Sequence, residues 1–233
     1  YDMLVVNSGD IGTGLNFSVT TGGVTSNLGT FLDFEVYQIH GGSADDTLFG
    51  AAGNDSLHGG GGNDEIHGGD GGDWISAGYG IDRIYGDGGN DYLVLVEYRD
   101  GGIVDGGGGF DTLDLNLQGS ASGVDLDLTQ LGAGGDILIG TGRISSIEAL
   151  GTSVILTNSS DIFLLGEGNY VYTINAGAGD DHVAGDANGN QIFGDGGNDT
   201  LEGGGGNDWL YGSDGDDSLL GGAGNDTISG GAG

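Results

Sequence analysis

A carboxylate stands at every ninth residue over two long stretches of this chain. Asp46, Asp55, Asp64, Asp73, Asp82 and Asp91 form the first series, and Asp181, Asn190, Asp199, Asp208, Asp217 and Asp226 the second, with Asp111 alone between them. Only Asn190 departs from aspartate. Two residues after each stands an aliphatic side chain: Leu48, Leu57, Ile66, Ile75, Ile84, Leu93, Leu113, Val183, Ile192, Leu201, Leu210, Leu219 and Ile228. Regularly spaced carboxylates among glycines offer carboxylate and carbonyl oxygens to a cation. Neither thiolate nor imidazole recurs with them, because the chain has no Cys and its four His fall elsewhere. An all-oxygen, high-coordination donor set selects calcium, and fits magnesium less well because that ion holds a small octahedral shell with retained waters.

The element that positions these groups is a nonapeptide. From residue 41 the chain reads GGSADDTLF, GAAGNDSLH, GGGGNDEIH, GGDGGDWIS, AGYGIDRIY and GDGGNDYLV. GGGGFDTLD stands alone at 106–114, and AGAGDDHVA, GDANGNQIF, GDGGNDTLE, GGGGNDWLY, GSDGDDSLL and GGAGNDTIS follow from residue 176. Glycines at the first, second and fourth positions open backbone conformations closed to other residues, and Asn or Asp at the fifth tolerates the left-handed region. The first six residues are therefore expected to turn. Residues seven to nine are too few for a helix and place one aliphatic side chain inward, as a short strand does. One nonapeptide has nothing to bury that side chain against, so two must face each other and successive pairs must stack. The expected fold is all-β, a parallel β-solenoid with 18-residue coils in two blocks. Stacking then lines Asp46, Asp64 and Asp82 along one edge and Asp55, Asp73 and Asp91 along the other, roughly 5 Å apart, a repulsive arrangement that a cation relieves.

Composition narrows the function. Acidic residues number 36 against 3 basic ones, a formal charge of −33, which repels nucleic acid and anionic membrane surfaces. Glycine supplies 58 of 233 residues, yet collagen's period and prolines are missing and 36% of the chain is hydrophobic, so a folded glycine-rich protein is expected. No apolar run is long enough to span a bilayer, and no signal peptide opens the chain.

The repeat resembles G-G-x-G-x-D-x-U-x, the calcium-binding nonapeptide of the repeats-in-toxin (RTX) proteins. GGGGNDEIH and GGGGNDWLY fit it at every defined position, and the resemblance covers 41–94 and 176–229, with 106–114 as a single copy. It implies a right-handed β-roll in which each ion lies between turns one coil apart. Both sixth-position aspartates ligate, joined by carbonyls from the second and fourth positions of the earlier turn and the first and third of the later. One site would use Gly42, Ala44 and Asp46 with Gly59, Gly61 and Asp64, and another Gly204, Gly206 and Asp208 with Gly221, Ala223 and Asp226. The turns Gly59, Gly60, Gly61, Gly62 and Gly203, Gly204, Gly205, Gly206 are thus candidate donors, and the same rule gives about four ions per block, about eight in all. Asn190, Ala77 and Ile81 depart from the pattern. Asp70, Asp87, Asp195 and Asp214, at second or third positions, are read as solvated surface charge.

Four segments follow: a calcium-free β segment 1–40, a first repeat block 41–114, a second calcium-free β segment 115–175 and a second block 176–233. The two calcium-free segments resemble each other, Phe34-Glu35 matching Ile147-Glu148. Alternation at Val124, Leu126, Leu128, Val154 and Leu156 argues for half-buried strands, in further solenoid coils or a small β-sandwich. Partial repeats at both ends give the expectation that the chain was cut from a larger secreted protein.

No catalytic signature stands out. His40, His58, His67 and His182 form no H-E-x-x-H, no Ser lies in G-x-S-x-G, and Arg83, Arg99 and Arg143 are too scattered for a phosphate pocket. His58 and His67 occupy the ninth position of adjacent repeats and are expected on opposite faces, and Trp74 and Trp209 point outward. The chain is therefore read as a non-enzymatic module. From the resemblance it is expected to be secreted by a type I route, to fold on meeting extracellular calcium, and to be monomeric, without nucleic-acid binding or membrane insertion. An adhesin or matrix segment with a surface or glycan ligand, and an accessory domain of a secreted hydrolase, are the alternatives.

Overall fold

In the computed structural model, residues 3–7, 16–20, 23–26, 29–31, 36–96, 101–120, 123–128, 137–139, 142–166 and 171–233 are described. Every regular element among them is a β-strand. The chain forms two units, Tyr1–Leu113 with Thr141–Glu148, and Asp114–Gly140 with Ala149–Gly233.

In the first unit the chain alternates between two parallel sheets. One stacks Met3–Asn7, Val36–His40, Ser56–Gly61, Trp74–Tyr79 and Tyr92–Leu95. The other stacks Asn16–Thr20, Thr47–Ala52, Glu65–Asp70, Arg83–Gly88, Ile103–Asp105 and Gly142–Ser145. Leu57 pairs with Ile75, and Leu48 with Ile66 and then Ile84, each step being one 18-residue coil. The coil from Ile84 to Val104 is two residues longer. Gly23–Ser26 and Gly29–Phe31 add an antiparallel edge beside Asn16–Thr20.

The second unit repeats the design. Ala149–Ile155, Thr173–Asn175, Gln191–Gly196, Trp209–Asp214 and Thr227–Ala232 make one sheet. Asp125–Asp127, Ile162–Leu164, His182–Ala184, Thr200–Glu202 and Ser218–Leu220 make the other. Residues 123–128 and 149–166 thus continue the parallel stack as coils, with Leu126 against Phe163 and Val154 against Ile174. The coils from Phe163 to Val183 and from Val154 to Ile174 are also two residues long of 18.

The interior is one side chain deep from each sheet. Leu48, Leu57, Ile66, Ile75, Ile84 and Leu93 are fully buried in the first unit, and Leu126, Val154, Phe163, Ile174, Val183, Ile192, Leu201 and Leu210 in the second. The eighth-position rule fails in the two edge strands, where Ile228 is 49% exposed and Leu219 half-buried. So thin a core leaves the turns to complete the stability, and the turns carry the acids.

Candidate metal centre

Apart from those that begin at residues 41, 50 and 185, each repeat turns on two left-handed residues. In the turn 59–64 these are Gly60 at φ 110° and Gly62 at φ 113°, the second and fourth positions. Asp87, Asp195 and Ser213 hold the second position at φ 68°, 67° and 84°. The first and fifth positions, also expected to need unusual backbone, instead serve other ends. First-position Gly59 is required for space, since a Cβ there would overlap Asp64 Oδ2 and Ala77 O. Fifth-position side chains bond the turn one coil on: Asp45 Oδ1 accepts Asn63 N–H at 2.7 Å, Asn63 Oδ1 accepts Ile81 N–H at 2.9 Å, and Asn198 Oδ1 accepts Asp216 N–H at 2.9 Å. Gly71, at φ 142° and with its missing Cβ aimed at Gly53 O, gives a direct test. Gly71→Ala is expected to destabilise the folded chain by about 1–3 kcal/mol, read as a lower midpoint of thermal unfolding.

The sixth-position aspartates stack into rows, and those after Asp46 and Asp55 each accept a backbone N–H from the coil before them. Asp64 Oδ1 accepts Asp46 N–H at 2.7 Å, and Asp82 Oδ1 accepts Asp64 N–H at 2.9 Å. On the other edge the row runs Asp55 N–H to Asp73 at 2.8 Å, Asp73 to Asp91 at 2.8 Å and Asp91 to Asp111 at 2.9 Å. In the second unit Asp181 N–H donates to Asp199, Asp199 to Asp217, and Asp208 to Asp226. The other carboxylate oxygen is the telling one. Oδ2 of Asp64, Asp73, Asp82, Asp91, Asp111, Asp181, Asp199, Asp208 and Asp217 is buried without a hydrogen-bond partner. Asp46 and Asp55 differ, their Oδ2 accepting Gly42 N–H at 2.7 Å and Ala51 N–H at 3.1 Å.

Burial of these side chains opposes their charge. It pushes Asp64 up to about 7, with the carboxylates of Asp82, Asp46 and Asp45 adding to the shift and the Asp46 N–H opposing it. Asp73 and Asp181 rise to about 7 and Asp91 to about 6, for the same first reason. Asp111, Asp199 and Asp208 also rise, burial leading. Ionised together and without a cation, such rows repel.

The carbonyls expected as donors line the same turns. Gly42 O accepts Gly61 N–H at 2.9 Å, and Gly204 O accepts Ala223 N–H at 2.9 Å, each keeping one lone pair. A Cβ on Gly203 would overlap Asp208 Oδ2 and approach Gly221 O at 2.6 Å, so first-position glycine lets a carboxylate and a carbonyl oxygen come together against the backbone. Among the described residues no three His, Asp or Glu side chains converge, because two carboxylates per junction is the most the stacking supplies and the rest is backbone.

Other positions resolve individually. Asn190 stays in its row, accepting Asp186 N–H at 3.1 Å, passing its N–H to Asp208 at 2.8 Å and donating from its amide to Val171 O at 2.9 Å. Asp186, at the second position of its turn, is 4% exposed and held by Asn188. His58 stacks on His40 and meets Trp74 at a 43° tilt on one sheet, whereas His67 stacks between Phe49 and Tyr85 on the other, so the two are on opposite faces. Trp74 and Trp209 are exposed.

Two acids escaped the nine-residue pattern. Asp161 Oδ1 accepts Val124 N–H at 2.7 Å, and its own N–H donates to Asp181, which sets it at the head of that row. Here Thr157 N–H and hydroxyl lie 2.9 Å from Asp161 Oδ2 as donors, and neither carboxylate oxygen is orphaned. Glu148 accepts Asp111 N–H at 2.8 Å. The trace of Asp161 in the sequence is the half-repeat Asp161-Ile162-Phe163-Leu164.

Orphaned buried carboxylate oxygens and an all-oxygen donor set fit calcium. The pattern of the RTX calcium-binding nonapeptide repeat family matches the chain four times, at residues 40–73, 67–95, 173–201 and 202–233, just over half its length. No curated protein matches the chain.

Proposed function

Because the chain belongs to the RTX calcium-binding nonapeptide repeat family, we propose that it is a calcium-dependent folding module of a secreted protein, structural and not catalytic. The chain leaves the cell unfolded by a type I route, and folds as a monomer when it meets calcium outside. Calcium supplies the positive charge that offsets repulsion along the aspartate rows. Asp46, Asp55, Asp64, Asp73, Asp82, Asp91, Asp111, Asp181, Asp199, Asp208, Asp217 and Asp226 hold it, with carbonyls of the Gly59–Gly62 and Gly203–Gly206 turns and their equivalents. No helix among the described residues is long and apolar enough to cross a membrane. The observation that carries the reading is the run of buried Oδ2 atoms without partners, repeated at one place in coil after coil. Nine polar atoms of that kind cost too much to be tolerated unless a ligand satisfies them.

Isothermal titration of the metal-stripped chain tests it. Calcium is expected to bind at about eight sites per chain, and magnesium at equal concentration to release far less heat. Equal response to both ions, or uptake of one or two only, would refute the assignment of the rows.

A further inference from the structure

The row that begins at Asp55 ends on a turn that is not a nonapeptide. Strand Gly142–Ser145 is followed by Ser146, Ile147 and Glu148, three residues where a repeat spends six. Ser146, at φ 51°, closes this short turn in the left-handed region. Glu148 Oε2 accepts Asp111 N–H at 2.8 Å, the bond that in the repeats goes to the next aspartate, as from Asp64 N–H to Asp82 at 2.9 Å. A glutamate's additional methylene spans what the shorter turn leaves.

The remaining features of a repeat junction recur beside it. Asp111 is fully buried, and its Oδ2 has no partner. A Cβ on Gly106 would overlap Ser146 O and lie 2.6 Å from Asp111 Oδ2, as one on Gly59 would meet Ala77 O and Asp64 Oδ2. The residues just before the two turns, Asp105 and Ser145, pair in register, and Asp105 Oδ1 and Ser145 Oγ are buried and unpartnered as well. Arg143 lies 3.5 Å from the other oxygen of Asp105. Asp161 shows the contrary case, where Val124 N–H donates to Oδ1 and Thr157 N–H to Oδ2, with the Thr157 hydroxyl beside both.

We propose that Asp111, Glu148 and the Ser146 carbonyl hold a further calcium ion, at a junction of which neither turn lies in the stretches that match the repeat family. The inference rests on the calcium reading of the repeats. It makes Glu148 a ligand that the spacing of nine does not mark, and it extends the row of ions one step past the last nonapeptide.

Native mass spectrometry of the 233-residue chain with calcium just saturating tests it. Glu148→Gln keeps an oxygen for the Asp111 N–H and removes the charge, so the fold is retained, as far-ultraviolet circular dichroism will verify. The expected result is one calcium ion fewer per chain than in the unaltered protein. An unchanged count overturns the Glu148 site and leaves the repeats untouched. Loss of several ions, or of the β spectrum, overturns it too, since Glu148 would then support the fold at large. An unaltered chain that takes up no calcium overturns instead the reading beneath it.

Discussion

Chelation of calcium near neutral pH is expected to abolish the β-sheet circular dichroism of the chain, and acidification of the chelated chain to about pH 4.5 to restore much of it. The direction follows from the shifts. Asp64, Asp73 and Asp181 are pushed up to about 7 and Asp91 to about 6, by burial first and neighbouring carboxylates second. Unfolded aspartate titrates near 3.9. Between about pH 4 and pH 7 the metal-free folded state therefore binds more protons than the unfolded one, and its stability falls as pH rises through that window. Above it the rows are fully ionised and the whole penalty applies. Protons and calcium then relieve the same repulsion, so apparent calcium affinity is expected to drop as pH falls below about 7. A chelated chain whose spectrum stays β at neutral pH, or loses structure on acidification, would contradict the electrostatic account.

The second large effect concerns Asp73, which stands between two others in its row. Its Oδ1 accepts Asp55 N–H at 2.8 Å, its N–H donates to Asp91, and its Oδ2 is orphaned. Asp73→Ala removes a carboxylate from two adjacent junctions and strands the Asp55 amide. Two ions are expected to be lost and the calcium midpoint of folding to rise at least about tenfold, beyond what an unsatisfied amide costing roughly 1–3 kcal/mol explains. Asp70→Ala, three residues earlier on an exposed turn position, is the matched control and should leave midpoint and ion count unchanged. Equal behaviour of the two variants would place the ions elsewhere.

The columns of the repeat were legible in sequence because a nine-residue period is a linear property. Sixth-position acids and eighth-position aliphatics need only be counted to predict the paired sheets, the inward Leu57 and Ile75, and the aspartate rows. Less visible was why the glycines stand where they do. Gly59 and Gly60 look alike in sequence, yet one yields space to a carboxylate and the other adopts a left-handed backbone. Fifth-position Asn63 was read as a backbone choice, whereas its side chain is occupied with the next coil. Glu148 and Asp161 were missed for another reason. Asp111 meets Glu148 across 37 residues, and Val124 meets Asp161 across 37, distances set by the path of the intervening chain. No local period reports such a meeting.

The coils of irregular length have a consequence of their own. Most repeats are interchangeable in the groups they present, so a coil displaced by one full step would find nearly the same neighbours. The 20-residue intervals from Asp91 to Asp111 and from Asp161 to Asp181 break that degeneracy. A chain shifted by one coil would have to carry two surplus residues into a junction built without them, stranding the amides of Asp91 or Asp161. Each long interval is an index mark, present once in each row it interrupts, by which an otherwise self-similar strand acquires a single alignment.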